Sequence, residues 1–181
     1  MVVAWLLKDP VENLNLPNTT EPTKYVCPSD LQNCLGVEIK KFNVQNMECN
    51  PEYVCMKRTK DYKEEETSMV KGSAEESDKK IDEESREHLD VDDEVWMVLE
   101  GSGYLDIRDR CDKWIRIEIK PGDMITIPGG MYHRLVLDEK NMIKTKRLFP
   151  GSSESAALIF RPDGDNHTAR RAYLARMACY N

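Results

Sequence analysis

The sequence predicts a mainly β protein, a small antiparallel sandwich or barrel with a few peripheral helices. From Glu94 onward the β-favouring runs VWMVL, GYLDI, WIRIEI, MITI and YHRLVL follow one another. Gly-Ser-Gly, Arg-Asp-Arg-Cys-Asp-Lys, Lys-Pro-Gly-Asp and Pro-Gly-Gly separate them. Short strands punctuated this closely close on themselves as a sandwich or barrel. Trp114 to Ile119 also alternates apolar and polar residues cleanly, which predicts one buried face and one wet face.

Taken in order, Met1 to Pro22 mixes apolar and turn residues, giving one short strand over VAWLL and then an extended arm. Ser29 can cap a short helix, DLQNCL, that Gly36 ends. Val37 to Phe42 alternates at roughly period two and reads as a strand, and Met56 to Tyr62 as helical. Glu64 to Glu87 is polar, with Met69, Val70 and Ile81 its only large apolar residues. A solvated helix and a partly disordered segment both fit it, with its charges facing solvent. Ala156 to Phe160 adds a strand after the barrel runs, and His167 to Ala178 has helical spacing. The 181 residues fit one domain, 1–181, divided into an N-terminal arm and polar segment (1–87), a barrel core (88–160) and a C-terminal helix (161–181).

Composition narrows the class. Charged residues make up 33% and apolar residues 40%, as in a globular protein with a highly charged surface. The opening MVVAWLLKDP has too short an apolar run for a signal segment or a membrane span, so a cytoplasmic location is expected, with nuclear entry by diffusion. The six cysteines show no CxxC spacing and read as free thiols. The net charge of -7 is uneven: 14 acidic and 4 basic residues fall between Glu64 and Glu94, leaving the rest near +3. Without a basic patch, nucleic acid is not an expected partner, and neither is a membrane; a monomer is expected.

The chemistry concentrates between His88 and His133. His88-x-Asp90, Glu94 and Gly101 form one spacing; Gly122, Pro128-Gly129-Gly130 and His133 form a second. Two His and one Glu arriving from neighbouring strands suit a divalent Fe, Ni, Co or Mn site, whereas a soft thiolate site needs cysteine pairs. Asp90 stands where a fourth ligand is expected. His167, in a polar stretch, reads as a surface residue, and one or both of Asp92 and Asp93 read as solvent-facing. Gly101-Ser102-Gly103 precedes a strand rather than a helix, so it reads as a turn and not a phosphate loop.

These two spacings resemble the paired motifs of the cupin superfamily, whose fold is a double-stranded β-helix, or jelly-roll barrel. The wording is closer still to one family: HLDVDDE, GSGYLDIRD, WIRI, KPGDMITIPGGMYHR, DEKN and KRLF are similar to the acireductone dioxygenases of methionine salvage. The resemblance is dense from Glu87 to Phe149 and looser but collinear upstream. It implies oxidation of a small-molecule acireductone, 1,2-dihydroxy-3-keto-5-methylthiopentene, by O₂ with one Fe²⁺ or Ni²⁺ per chain. The Fe²⁺ form implies formate and the 2-oxo acid precursor of methionine; the Ni²⁺ form implies carbon monoxide, formate and methylthiopropionate.

Carried over by position, the resemblance places metal ligands on His88, Glu94 and His133, and the family's second histidine on Asp90. Trp96 stands where the family has an Arg that can pair with the substrate's enediolate oxygens, and an indole cannot supply that charge. Glu84 and Leu135 replace large aromatics, so Trp96, Glu84 and Leu135 would line a differently shaped substrate pocket. An Asp reaches less far than a His, so the ion or the strand shifts or a water bridges; a second carboxylate also weakens the Lewis acid. Alternatively, His88, Glu94 and His133 suffice as a two-His-one-carboxylate set, or the histidines are interior residues satisfied by hydrogen bonds. The expectation is an acireductone dioxygenase-like protein with lost or strongly impaired catalysis. A working metal-dependent dioxygenase and a cupin retuned to another substrate are the alternatives.

Overall fold

The structure, a computed structural model, describes residues 2–11, 13–72, 74–150 and 158–178. Among them, twelve strands form two antiparallel sheets, with four α-helices around them. The strands are β1 (Val3–Leu6), β2 (Tyr25–Val26), β3 (Glu38–Lys41), β4 (Tyr62–Val70), β5 (His88–Leu89) and β6 (Glu94–Gly101). They continue with β7 (Gly103–Arg108), β8 (Trp114–Ile119), β9 (Asp123–Ile127), β10 (His133–Leu137), β11 (Met142–Pro150) and β12 (Ile159–Phe160). The helices are α1 (Pro28–Leu35), α2 (Pro51–Lys60), α3 (Glu75–Ser85) and α4 (Thr168–Ala178). A seven-stranded sheet runs β12-β5-β10-β7-β8-β1-β2 and a five-stranded sheet β3-β9-β6-β11-β4. The mainly β jelly-roll expectation with peripheral helices holds.

Period-two alternation decides what each sheet encloses. Trp96, Val98, Ile125, Ile127 and Ile143 from the five-stranded sheet meet Leu105, Ile107, Ile115, Ile117, Leu135 and Leu137 from the other in one buried cluster. Intervening residues face outward but remain covered. Val95, Met97, Met124 and Leu148 join Phe42, Met47 and Tyr53 in a second cluster on the outer face of the five-stranded sheet. That double burial explains why VWMVL is a continuous apolar run rather than an alternating one.

Several expectations change. WIRIEI does alternate, but its polar face is not wet at Arg116, which is fully buried. Its guanidinium grips Asp106 through Nε (2.7 Å) and Nη2 (2.8 Å) and donates to the backbone carbonyls of Leu14 and Leu16 in the arm. Charge on a strand signals solvent only when nothing folds back over it. Ser29 does not cap the first helix: the N-cap is Cys27, without a side-chain hydrogen bond, and Pro28 opens the helix. Gly36 ends it in the left-handed region, as expected. The second helix begins earlier than Met56, at Pro51, where Asn50 accepts from the Glu52 and Tyr53 amides; Tyr62 belongs to the next strand.

The largest difference is the polar segment. Its first part is β4, paired with β11 along all nine residues, and the helix reading holds only for the later part, α3. Met69 and Thr67 face inward from the strand and Ile81 packs against the core, so three well-placed apolar or small residues suffice. Of the expected strand at 156–160, Ile159 and Phe160 pair with β5, while 156 and 157 lie outside the described residues. The five described cysteines are free, and Cys179 lies outside the described residues. Among the described residues no helix is long and apolar enough to cross a membrane.

Candidate metal centre

Strand pairing builds the site. β5 lies between β10 and β12, and His88 is directly opposite His133 across the ladder. The two imidazoles therefore meet edge to face, with ring centroids 4.4 Å apart. The turn Pro128-Gly129-Gly130 delivers His133: the Gly130 amide donates to the Asp90 carbonyl (2.8 Å) and the Gly129 amide to the Asp93 carboxylate (2.9 Å). Glu94 opens β6 on the inward face it shares with Trp96 and Val98.

His88, Asp90, Glu94 and His133 are all buried. His88 Nδ1 lies 2.7 Å from the Arg86 carbonyl and His133 Nδ1 3.0 Å from the Met131 carbonyl. A carbonyl can only accept, so each Nδ1 carries the hydrogen and each Nε2 presents its lone pair to the interior. Backbone carbonyls that fix the tautomer in this way are how metal-binding imidazoles are held. Burial, reinforced by the nearby His133 and Arg147, keeps the His88 ring well below its ordinary pKa and uncharged. His88 Nε2, His133 Nε2 and Asp90 Oδ2 are buried without hydrogen-bond partners, as are Glu94 Oε1 and Arg147 Nε beside them. Ligand atoms of His88, Asp90 and His133 lie within 4.8 Å of one another. Three unpartnered donors converging in a dry interior fit a divalent cation, which satisfies all of them at once.

The structure brings His88, Asp90, Glu94, His133, Glu84 and Trp96 together, with one addition. Glu84, on the last turn of α3, points its carboxylate at His88 Nε2 (3.8 Å), and burial pushes its pKa above the ordinary carboxylate range. Trp96 is buried and donates its indole N–H to Glu94 Oε2 at 2.8 Å, so it holds a carboxylate as well as filling space. Leu135 packs in the main core cluster. The addition is Arg147. β11 pairs with β6 so that Arg147 sits opposite Trp96, and its guanidinium reaches the site. It is ion-paired with Glu94 through Nε, lies 3.3 Å from Asp90 through Nη2 and 3.9 Å from Glu84 through Nη1. Position 96 lacks a cation, but the neighbouring strand brings one to the same place. The KRLF run contains this Arg, yet only the β6–β11 register shows where it goes.

The cavity between Asp90, Glu94, Arg147, Phe149 and Pro150 measures about 20 Å³, room for roughly one water. A larger cleft of about 470 Å³ lies between β1 and the start of β8, lined by Lys8, Lys24, Arg108 and Trp114, and none of the buried centre borders it.

The fold and the buried His/carboxylate cluster define a cupin barrel with a metal-type interior. Comparison with known proteins gives the family. The family model described as "ARD/ARD' family" matches residues 3–157. The chain is 36% identical over 179 residues to the acireductone dioxygenase of Gallus gallus, covering 98% of each chain. It is 38% identical over 175 residues to that of Rattus norvegicus, covering 96% of each. A solved acireductone dioxygenase from Bacillus anthracis, with cadmium in its active centre, shares the fold with a TM-score of 0.67 at 19% identity, over 88% of this chain and 98% of that one. The chain belongs to the acireductone dioxygenase family.

Proposed function

We propose that this protein is a metal-binding acireductone dioxygenase-type cupin whose turnover of acireductone is strongly reduced. His88 and His133, with the buried carboxylates beside them, would hold one Fe²⁺ or Ni²⁺. Such an ion, when bound, supplies Lewis acidity for a substrate enediolate and a place for O₂ chemistry. The reading extends to methionine salvage and to a soluble, cytoplasmic or nuclear location.

The observation behind reduced turnover is the state of Arg147. Its guanidinium is already engaged by Glu94 and faces Asp90 and Glu84, so it is not free to pair with an incoming enediolate. Three carboxylates around one guanidinium leave a site that disfavours an anionic substrate. Losing one preorganised charge-assisted partner in such a site costs roughly two to three decades in rate.

Acireductone decay in aerobic buffer tests this, with the natural protein and an Asp90→His, Trp96→Arg double variant each loaded separately with Fe²⁺ and Ni²⁺. The expected result is decay that is at least about 100-fold faster in the variant. Equal rates would show that Asp90 and Trp96 do not limit catalysis, and the impaired reading would be dropped.

A further inference from the structure

We propose that the cleft between β1 and the start of β8 is a second ligand site, one that takes a small organic phosphate, a phosphate monoester with an apolar body. It is separate from the buried centre and does not depend on turnover there. At about 470 Å³ the cleft falls within the range of about 300–1,000 Å³ of ordinary ligand pockets.

Charge is the first observation. Lys8 follows β1, Lys24 precedes β2 and Lys113 lies in the turn before β8, and all three line the cleft. Among the described residues none of their ammonium groups has a carboxylate partner. Arg108 and Asp112 also border the cleft but are committed to other partners. Arg108 grips Glu87 through Nε and Nη2, both at 2.9 Å, and Asp112 accepts from Arg161 at 2.9 Å. Asp9 is then the one uncommitted carboxylate among the described lining residues, which leaves a surplus of two positive charges in a chain of net charge -7. Unpaired lysines gathered around one concavity create a local potential that draws in an anion.

Three ammonium groups from three separate segments suit a phosphate in particular. A phosphate monoester carries about -1.5 to -2 charges at neutral pH and three strong acceptor oxygens. A lysine is a compact charge with rotatable donors, so it can follow tetrahedral geometry, whereas a planar carboxylate is matched by the fork of an arginine.

The second observation is the remaining wall. The Thr20 hydroxyl is already held by the Pro22 carbonyl and the Lys24 amide. Leu6, Leu7, Val11 and Trp114 complete the lining with apolar surface. The Trp114 ring lies against the guanidinium groups of Arg108 and Arg134, 3.9 and 4.3 Å from its centroid, which fixes the indole in place. Inorganic phosphate would leave this wall in water; the apolar body of an ester covers it.

Calorimetric titration of the full chain with phenyl phosphate, inorganic phosphate and phenol tests the site. The natural protein is compared with a Lys8→Gln, Lys24→Gln, Lys113→Gln triple variant. A Lys71→Gln, Lys79→Gln, Lys120→Gln variant, altered at exposed positions outside the cleft, controls for net charge. Phenyl phosphate is expected to bind the natural chain at least about 10-fold more tightly than either inorganic phosphate or phenol, because each lacks half of the interaction. The cleft variant is expected to lose at least about 10-fold in affinity for phenyl phosphate with no fall in melting temperature, and the control variant to bind like the natural chain. The comparison of ester with ion is made on the natural chain and needs no variant. Absence of saturable phenyl phosphate binding overturns the site. Equal affinity for inorganic phosphate overturns the role of the apolar wall, and equal losses in the two variants overturn the location.

Discussion

Trp96 shows how one substitution can change what its neighbours do. Where the family resemblance places an Arg, the indole lies buried, holding Glu94 through a single N–H, and Arg147 crosses from the adjacent strand to hold the other oxygen. Replacing Trp96 with Phe leaves a buried carboxylate short of one donor, which costs about 1–3 kcal/mol. Urea unfolding of Trp96→Phe should show that loss as a lower midpoint with an unchanged slope; an unchanged midpoint would mean Glu94 finds another donor. The candidate residue types at positions 88, 94 and 133 were legible from spacing because imidazole and carboxylate chemistry restricts which residues can serve a metal. Arg147 was not, since a basic residue in a strand has no local feature that says whether it faces solvent or the interior.

Among the elements, the turn before β10 carries much of the site's geometry. Gly130 has a φ of +83°, and a Cβ there would sit 2.2 Å from the Ala169 carbonyl oxygen at the start of α4. Only glycine fits both the left-handed backbone and that approach. Gly130→Ala should destabilise the fold by more than about 1 kcal/mol, seen as a lower melting temperature, and should weaken Co²⁺ binding because His133 follows three residues on. A substitution that left both unchanged would show the turn to be adaptable. β4 teaches the opposite lesson. Its middle is acidic and its apolar residues lie only at its ends, yet it pairs with the whole of β11, and Glu64 reaches Lys146 at 3.1 Å. A strand of this kind is specified by its partner's hydrogen bonds and charges, which composition within the segment does not show.

At the scale of the molecule, an arm closes one outer face of the barrel. Leu14 and Leu16 offer their carbonyls to Arg116, which holds Asp106 with a bidentate grip, and Arg134 adds a second cation to Asp106 at 2.9 Å. Trp5, Tyr104 and Val136 pack beneath the same covering. Lysine carries the charge but not the fork, so Arg116→Lys keeps at most part of this set. The expected cost is about 3 kcal/mol, the scale of a broken buried ion pair. Limited proteolysis within residues 9–24 should quicken in step; cleavage at the natural rate would mean the arm is held by its apolar contacts alone.

By itself the sequence determined the strands of the barrel, the turns between them, the family and the residue types available to a metal. These follow from local rules: period-two alternation, glycine and proline at turns, and the few side chains that bind hard cations. The tertiary structure alone decided that Arg116 is buried, that an acidic stretch is a strand, and that Arg147 enters the centre to engage Glu94. Each of these depends on which strand lies beside which, and residues such as Trp96 and Arg147, 51 positions apart, meet only once that register is set.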